Sequence, residues 1–140
     1  MRLMALDYGT ARVGVAVSDE LAMMALPLEA IRAKPLDSFF LRLKEIIAEK
    51  EIGLIVVGMP RNMDGSYGFA TEKAREFIEM IKSKLAMPVE AWDERLTTAA
   101  AHRMFADAGI KAKNRKDKID SVAAQNILQS YLDAQAFKKL

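Results

Sequence analysis

Residues Leu54-Ile55-Val56-Val57 form an unbroken apolar run, entered through Gly53 and left through Gly58-Met59-Pro60. A strand that is apolar on both faces needs cover on both, so this run reads as a buried parallel strand between helices. The rest of the chain fits around it. Leu3-Met4-Ala5-Leu6 and Val13-Gly14-Val15-Ala16-Val17 predict strands at about 2–7 and 12–18, joined by a tight turn. Gly9 and Gly14 suit a turn and a close backbone approach. A third strand is expected around 23–30, with Pro27 inside it. Asp37 or Ser38 caps a helix whose apolar stripe is Phe39, Phe40, Leu43, Ile46 and Ile47.

A polar loop at 61–68 leads into a second helix carrying Ala74, Phe77, Ile78, Ile81 and Leu85, stopped by Met87-Pro88. Residues 89–92 make a short fifth strand. Thr97 or Thr98 opens a third helix that runs to about 108 and ends at Gly109. The last helix runs from about 116 to 136. An antiparallel meander followed by alternating helices and strands predicts an α/β fold: a mixed five-stranded sheet with helices on both faces.

With 140 residues, half of them hydrophobic, the chain has the size and core of one domain spanning 1–140. It shows no repeat, linker or low-complexity stretch. The absence of cysteine excludes a disulfide framework, a thiolate metal site and a cysteine nucleophile, and it fits a reducing compartment. No apolar stretch approaches a membrane span, and no signal-peptide pattern opens the chain. A cytoplasmic protein without a membrane partner is expected. The net charge of +2 offers no bulk argument for nucleic acid, so any such argument rests on where the charges sit.

Acidic residues fall where this architecture could gather them. Asp7 ends the first strand, and Asp93-Glu94 ends the fifth. Asp117 and Asp120 open the last helix, three residues apart and so on one face. The positions at i+3, i+4, i+7 and i+11 from Asp120 are Ala123, Ala124, Ile127 and Tyr131. That is the apolar stripe, and an unpaired carboxylate on it is costly. A shared divalent cation is one justification, because hard cations take oxygen ligands. A turn-capping role for Asp7 and a macrodipole role for Asp117 and Asp120 are the plainer alternatives.

Cations also cluster. Lys111, Lys113, Arg115, Lys116 and Lys118 crowd the segment between the last two helices, which reads as a mobile basic loop. Arg12, Arg61 and Arg95 each stand at a strand end and are candidates for phosphate contacts. The plainer reading of the basic run is a solvated loop.

Four segments then amount to a resemblance: LDYGTARVGVAVSD at 6–19, VVGMPRNMDGSYG at 56–68, WDERLTT at 92–98 and KDKIDSVAAQNILQSYL at 116–132. The chain resembles the YqgF family, also called RuvX, Holliday-junction-resolvase-like proteins viewed as nucleases of pre-16S ribosomal RNA. The match covers nearly the whole chain. It implies a ribonuclease-H-like fold and hydrolysis of phosphodiesters with two Mg²⁺ or Mn²⁺ ions. The family's first-strand acid maps onto Asp7, its acid–acid–arginine motif onto Asp93, Glu94 and Arg95, and its last-helix acid onto Asp120. Asp7, Glu94 and Asp120 are the expected catalytic set, with Asp93 and Asp117 as further metal candidates. Two successive strand residues face opposite ways, so one of Asp93 and Glu94 reaches the metal; Glu94 is favoured. Arg12, Arg61, Arg95, Lys113, Arg115 and Lys116 are the expected nucleic-acid contacts. Where the family has a lysine before Arg12, this chain has Ala11, which removes one phosphate-facing cation.

By resemblance the substrate is precursor ribosomal RNA at the 5′ end of the small-subunit species. A branched DNA junction is the runner-up, with a monomer or homodimer as the active species. Two other classes compete. A phosphotransferase would also carry Asp-x-Gly-Thr, but it needs a second domain around a nucleotide cleft. A non-catalytic RNA-binding assembly factor would keep the fold without turnover. Elsewhere the plain readings serve: Asn62-Met63-Asp64-Gly65 is a tight turn, His102 a surface residue, Trp92 a packing residue and the nine methionines core filler.

Overall fold

In chain order the elements are β1 (Arg2–Asp7), β2 (Arg12–Ser18), β3 (Ala25–Arg32), α1 (Leu36–Lys50), β4 (Ile52–Met59), α2 (Phe69–Leu85), β5 (Val89–Asp93) and α3 (Ala112–Lys138). The computed structural model describes residues 1–59, 68–93 and 112–138, and the side chains of these except 69–70 and 112–120. The expected helix at 97–108, the turn at 62–65 and His102 lie outside the described residues.

The five strands form one sheet in the order β3-β2-β1-β4-β5. β1 pairs antiparallel with β2 and parallel with β4, and β4 pairs parallel with β5, so the sheet is mixed as expected. Alternation along β1 builds two cores. Met4 and Leu6 join Phe39, Leu43, Ile46, Phe77 and Ile81 beneath α1 and α2. Leu3 and Ala5 join Ala124, Ile127, Leu128, Tyr131 and Leu132 beneath α3 on the opposite face. The central strand is therefore buried on both sides, and β4 is too, through Val57 on one face and Val56 on the other.

Some details differ from the sequence reading. β3 runs two residues later than expected, because Asp19 organises the chain before it. The Asp19 carboxylate accepts hydrogen bonds from the Met23 and Met24 amides at 2.8 and 3.0 Å, which also hold its pKa below the usual carboxylate range. Pro27 is tolerated because β3 is an edge strand, and a register shift falls beside it, between Val15 and Ala16. α1 starts at Leu36 after an extended Pro35, with no side-chain cap; Asp37 sits in its first turn, where it favours the helix dipole. Among the methionines, Met4 and Met59 are buried, but Met1, Met23 and Met24 are 73%, 69% and 58% exposed, so core filling does not describe them all.

Candidate active site at the end of the central strand

Asp7 is the last residue of β1, and the period of two puts it on the face of Leu3 and Ala5, beneath α3. It is half-buried, and its partner in β2 is Gly14, which presents only hydrogen to that face. The turn beyond is tight by necessity. A Cβ on Gly9 would lie 2.5 Å from the Arg12 carbonyl oxygen, closer than real contacts permit. The Ala33 amide donates to the Ala11 carbonyl at 2.9 Å and ties this turn to the end of β3.

α3 runs along the sheet from the side of Ala5 toward the start of β1. Its C-terminal part, Leu132, Gln135 and Ala136, lines a cavity with Met1 and Leu3 at the start of β1. Its earlier turns are fastened to β3, where the Gln125 amide donates to the Ala25 carbonyl and Gln129 accepts from the Ala25 amide. Ala124 shares a buried cluster with Ala5. Two strand residues beyond Ala5, roughly 6.6 Å, is Asp7. One helical turn before Ala124, about 6 Å, is Asp120. In the sequence Asp120 stands four residues before the buried Ala124, and Asp117 four before the buried Ser121.

β5 is locked to the same helix. The Trp92 indole donates to Ser130 Oγ at 3.0 Å and meets the Tyr131 ring edge-on at 5.3 Å, so Trp92 packs as expected. The Tyr131 hydroxyl donates to Glu90 at 2.7 Å; burial and that carboxylate push its pKa up to about 12. Glu90 and Trp92 accordingly face α3. Asp93, next along and paired with the buried Met59, falls on the α1–α2 face. The structure does not bring Asp93 to the face of Asp7. Glu94 and Arg95 lie outside the described residues, as does Arg61.

The basic segment is not a loop where it is described. Lys113, Arg115 and Lys116 belong to the first turns of α3, which begins four residues earlier than the apolar stripe suggests. Alanine, lysine and arginine are strong helix formers, so propensity extends the helix past the point where burial needs it. Cations at a helix N-terminus oppose the macrodipole, and together they make that end attractive to anions. Sequence reading missed Arg32. It pairs directly with Arg12 across β2 and β3 on the face of Asp7, and it is exposed. No local motif marks it; only the strand register puts two guanidiniums side by side.

A test follows from counterion release. Arg32→Ala should weaken binding of single-stranded RNA and reduce the slope of log K against log salt by about 0.7, one phosphate's share. Changing Lys113, Arg115 and Lys116 together should flatten it further. An unchanged slope in both variants, measured by fluorescence anisotropy across a salt series, would put the RNA elsewhere.

Among the described residues no three acidic, histidine or cysteine side chains converge. Asp7 is the one described member of the expected catalytic set, since the side chains of Asp117 and Asp120 and all of Glu94 lie outside. The donor chemistry nonetheless fits a hard cation. A half-buried carboxylate at a strand end, with only carboxylates as its expected companions, suits Mg²⁺ or Mn²⁺ and not a softer metal.

The family model RuvX, described as Holliday junction resolvase, matches residues 1–134. The chain is 47% identical over 135 residues to a protein of Halothermothrix orenii named "Putative pre-16S rRNA nuclease", covering 96% of each. It is 46% identical over 136 residues to a protein of the same name from Desulforamulus reducens, covering 97% and 99%. Among solved structures, Thermus thermophilus RuvC in complex with a Holliday junction substrate aligns with a TM-score of 0.56 and 18% identity, over 97% of this chain and 96% of that one. The fowlpox virus Holliday junction resolvase aligns with a TM-score of 0.55 and 15% identity, over 96% and 99%. The fold is that of RuvC-like resolvases, a ribonuclease-H-like fold.

Proposed function

We propose that this chain, which belongs to the RuvX family, is a metal-dependent nuclease acting on pre-16S ribosomal RNA in ribosome biogenesis. One observation supports the reading: Asp7 ends the central strand on the α3 face, where Ala5 shares a core cluster with Ala124, four residues after Asp120 in the sequence. A carboxylate at the end of a buried strand and another on an apolar helix stripe are poor choices for stability alone. They suit a site that holds cations.

Asp7, Glu94 and Asp120 would be the ligands, with Asp117 beside them. Asp93 is set aside because it stands on the far face of the sheet. A bound Mg²⁺ or Mn²⁺ pair supplies charge neutralisation at the scissile phosphate and a nucleophilic hydroxide. The chain's own cations do the positioning. Arg12 and Arg32 share the face of Asp7 on β2 and β3, and the basic first turns of α3 would take the neighbouring phosphates. No nucleophilic side chain is required. The work falls to one domain, 1–140, and the compartment that follows from the substrate is the cytoplasm. No described helix is long and apolar enough to cross a membrane.

The test is a side-by-side assay at physiological salt with Mg²⁺ or Mn²⁺. The substrates are a single-stranded RNA bearing the 5′ precursor sequence and a four-way DNA junction, with the molecular mass of the active species recorded. Cleavage of the RNA, with weak and unsymmetrical action on the junction, is expected. One site and an electrostatic groove suffice for single-stranded RNA, whereas symmetric junction cuts need two sites in a fixed dimer. Paired symmetric incisions by a stable dimer, without RNA cleavage, would favour the resolvase reading that the family description carries. RNA binding with no cleavage of either substrate would favour a non-catalytic assembly factor.

A further inference from the structure

A cavity of about 200 Å³ opens on the other side of the sheet edge from Asp7. Tyr8, the residue immediately after Asp7, forms one wall, and the rings of Phe39 and Phe77 lie behind it. Tyr8 and Phe77 are tilted by 33° with centroids 4.6 Å apart, and Phe77 and Phe39 lie 5.9 Å apart, so the aromatic lining is one continuous block. Met80 closes the side, while Thr10 and Lys34 stand at the rim. Thr10 and Lys34 are exposed, Tyr8 is half-buried, and the two phenylalanines are buried.

Alternation explains the placement. Asp7 points toward α3, so Tyr8 points toward α1 and α2. The two residues are one peptide apart, about 3.8 Å between Cα atoms. A strand held at Asp7 that passes over the end of β1 therefore meets this cavity on the other face. Its chemistry is aromatic and apolar inside, with a hydroxyl and an ammonium at the mouth. That combination does not suit a metal, a sugar or a polyanion inside the cavity. It suits a flat heteroaromatic ring carried on a phosphate backbone, with Lys34 left to meet the phosphate.

We propose that this cavity receives an unstacked nucleobase of the RNA strand where that strand passes over the end of β1, on the face opposite Asp7. The proposal rests on the nuclease reading for the identity of the strand, and it deepens that reading by giving the site a base-binding subsite on the opposite face of the sheet. Single-stranded RNA offers such a base without breaking a pair. A duplex must unstack one first, so the cavity also selects for unpaired substrate.

The experiment fills the cavity and asks whether the loss depends on bases. Ala33 lies on the cavity wall, and its backbone amide holds the Ala11 carbonyl whatever its side chain. Ala33→Leu projects a larger side chain into the space, and Met80→Phe does so independently from α2. Binding is measured without divalent metal, so that cleavage plays no part, to a single-stranded RNA and to a ribose-phosphate strand of equal length without bases. Both variants should bind the RNA about 5- to 150-fold more weakly, the range of one lost base stack. They should bind the base-free strand as the wild type does, and their melting temperatures should not fall. Lys34→Ala should weaken both ligands alike. Equal losses on both ligands for the filled variants, or no loss on RNA, would overturn the base-binding cavity. Failure of the nuclease reading shows instead as wild-type protein that does not cleave with metal, whatever the binding results.

Discussion

Asp7→Asn should lower metal-dependent cleavage of the precursor RNA by about three orders of magnitude or more, with the fold intact. A carboxylate that helps hold a catalytic cation is worth several kcal/mol of transition-state charge stabilisation, and each 1.36 kcal/mol is tenfold in rate. The amide keeps the shape but loses the charge and half of the hard-oxygen donors. The surroundings absorb the change easily: the facing β2 residue is Gly14, and the buried part of β1 ends at Leu6. Three readouts are needed: single-turnover cleavage, RNA affinity without metal, and thermal melting. Affinity should hold or rise slightly, since removing an anion beside Arg12 and Arg32 lessens repulsion of phosphate. A variant that cleaves at the wild-type rate would show that Asp7 is not a ligand and that its place at the strand end is structural.

Much of this site is legible in the amino-acid sequence alone, and the reason is local. β1, β2 and β4 carry apolar runs whose bounds follow from Gly, Pro and charge at their ends, so Asp7 is placed at a strand end by Leu3–Leu6 alone. The stripe to which the spacing of Asp120 points, Ala124, Ile127 and Tyr131, is buried, while the side chain of Asp120 lies outside the described residues. The less legible features depend on partners distant in the chain. Arg32 matters only because the β2–β3 register sets it against Arg12, and a register shift between Val15 and Ala16 intervenes. The face of Asp93 becomes clear only once Trp92 and Glu90 are seen bound to Ser130 and Tyr131. The start of α3 is set by helix propensity without an apolar period, so hydrophobic patterning stops short of it. The cavity beside Tyr8 needs β1, the end of β3, α1 and α2 together, and no single stretch of sequence announces it.

Asp120→Asn should abolish cleavage much as Asp7→Asn does, yet raise the melting temperature of the metal-free protein by roughly 2–6 °C. The two effects share one cause. The α3 stripe is Ala124, Ile127, Leu128 and Tyr131, all buried against the sheet, and Asp120 continues its register toward the end where Asp7 lies. In the proposed site a carboxylate here would face desolvation and the like charge of Asp7 when no cation is bound, and both would disfavour the folded state. An amide removes the charge and keeps the size. Residues that serve function at the expense of stability behave in this way, whereas a helix-capping aspartate does the reverse, since its loss at an N-terminus destabilises the helix. The sign of the melting shift therefore discriminates between the two roles even before activity is measured. Mg²⁺ should stabilise the wild type by an increment that the variant largely lacks, because a ligand that binds only the native state raises its stability by mass action. The double variant Asp7→Asn/Asp120→Asn should be scarcely less active than either single one, since residues acting on one shared site are not additive. A lower melting temperature with activity retained would return Asp120 to the helix dipole and leave Asp7 without its partner on α3.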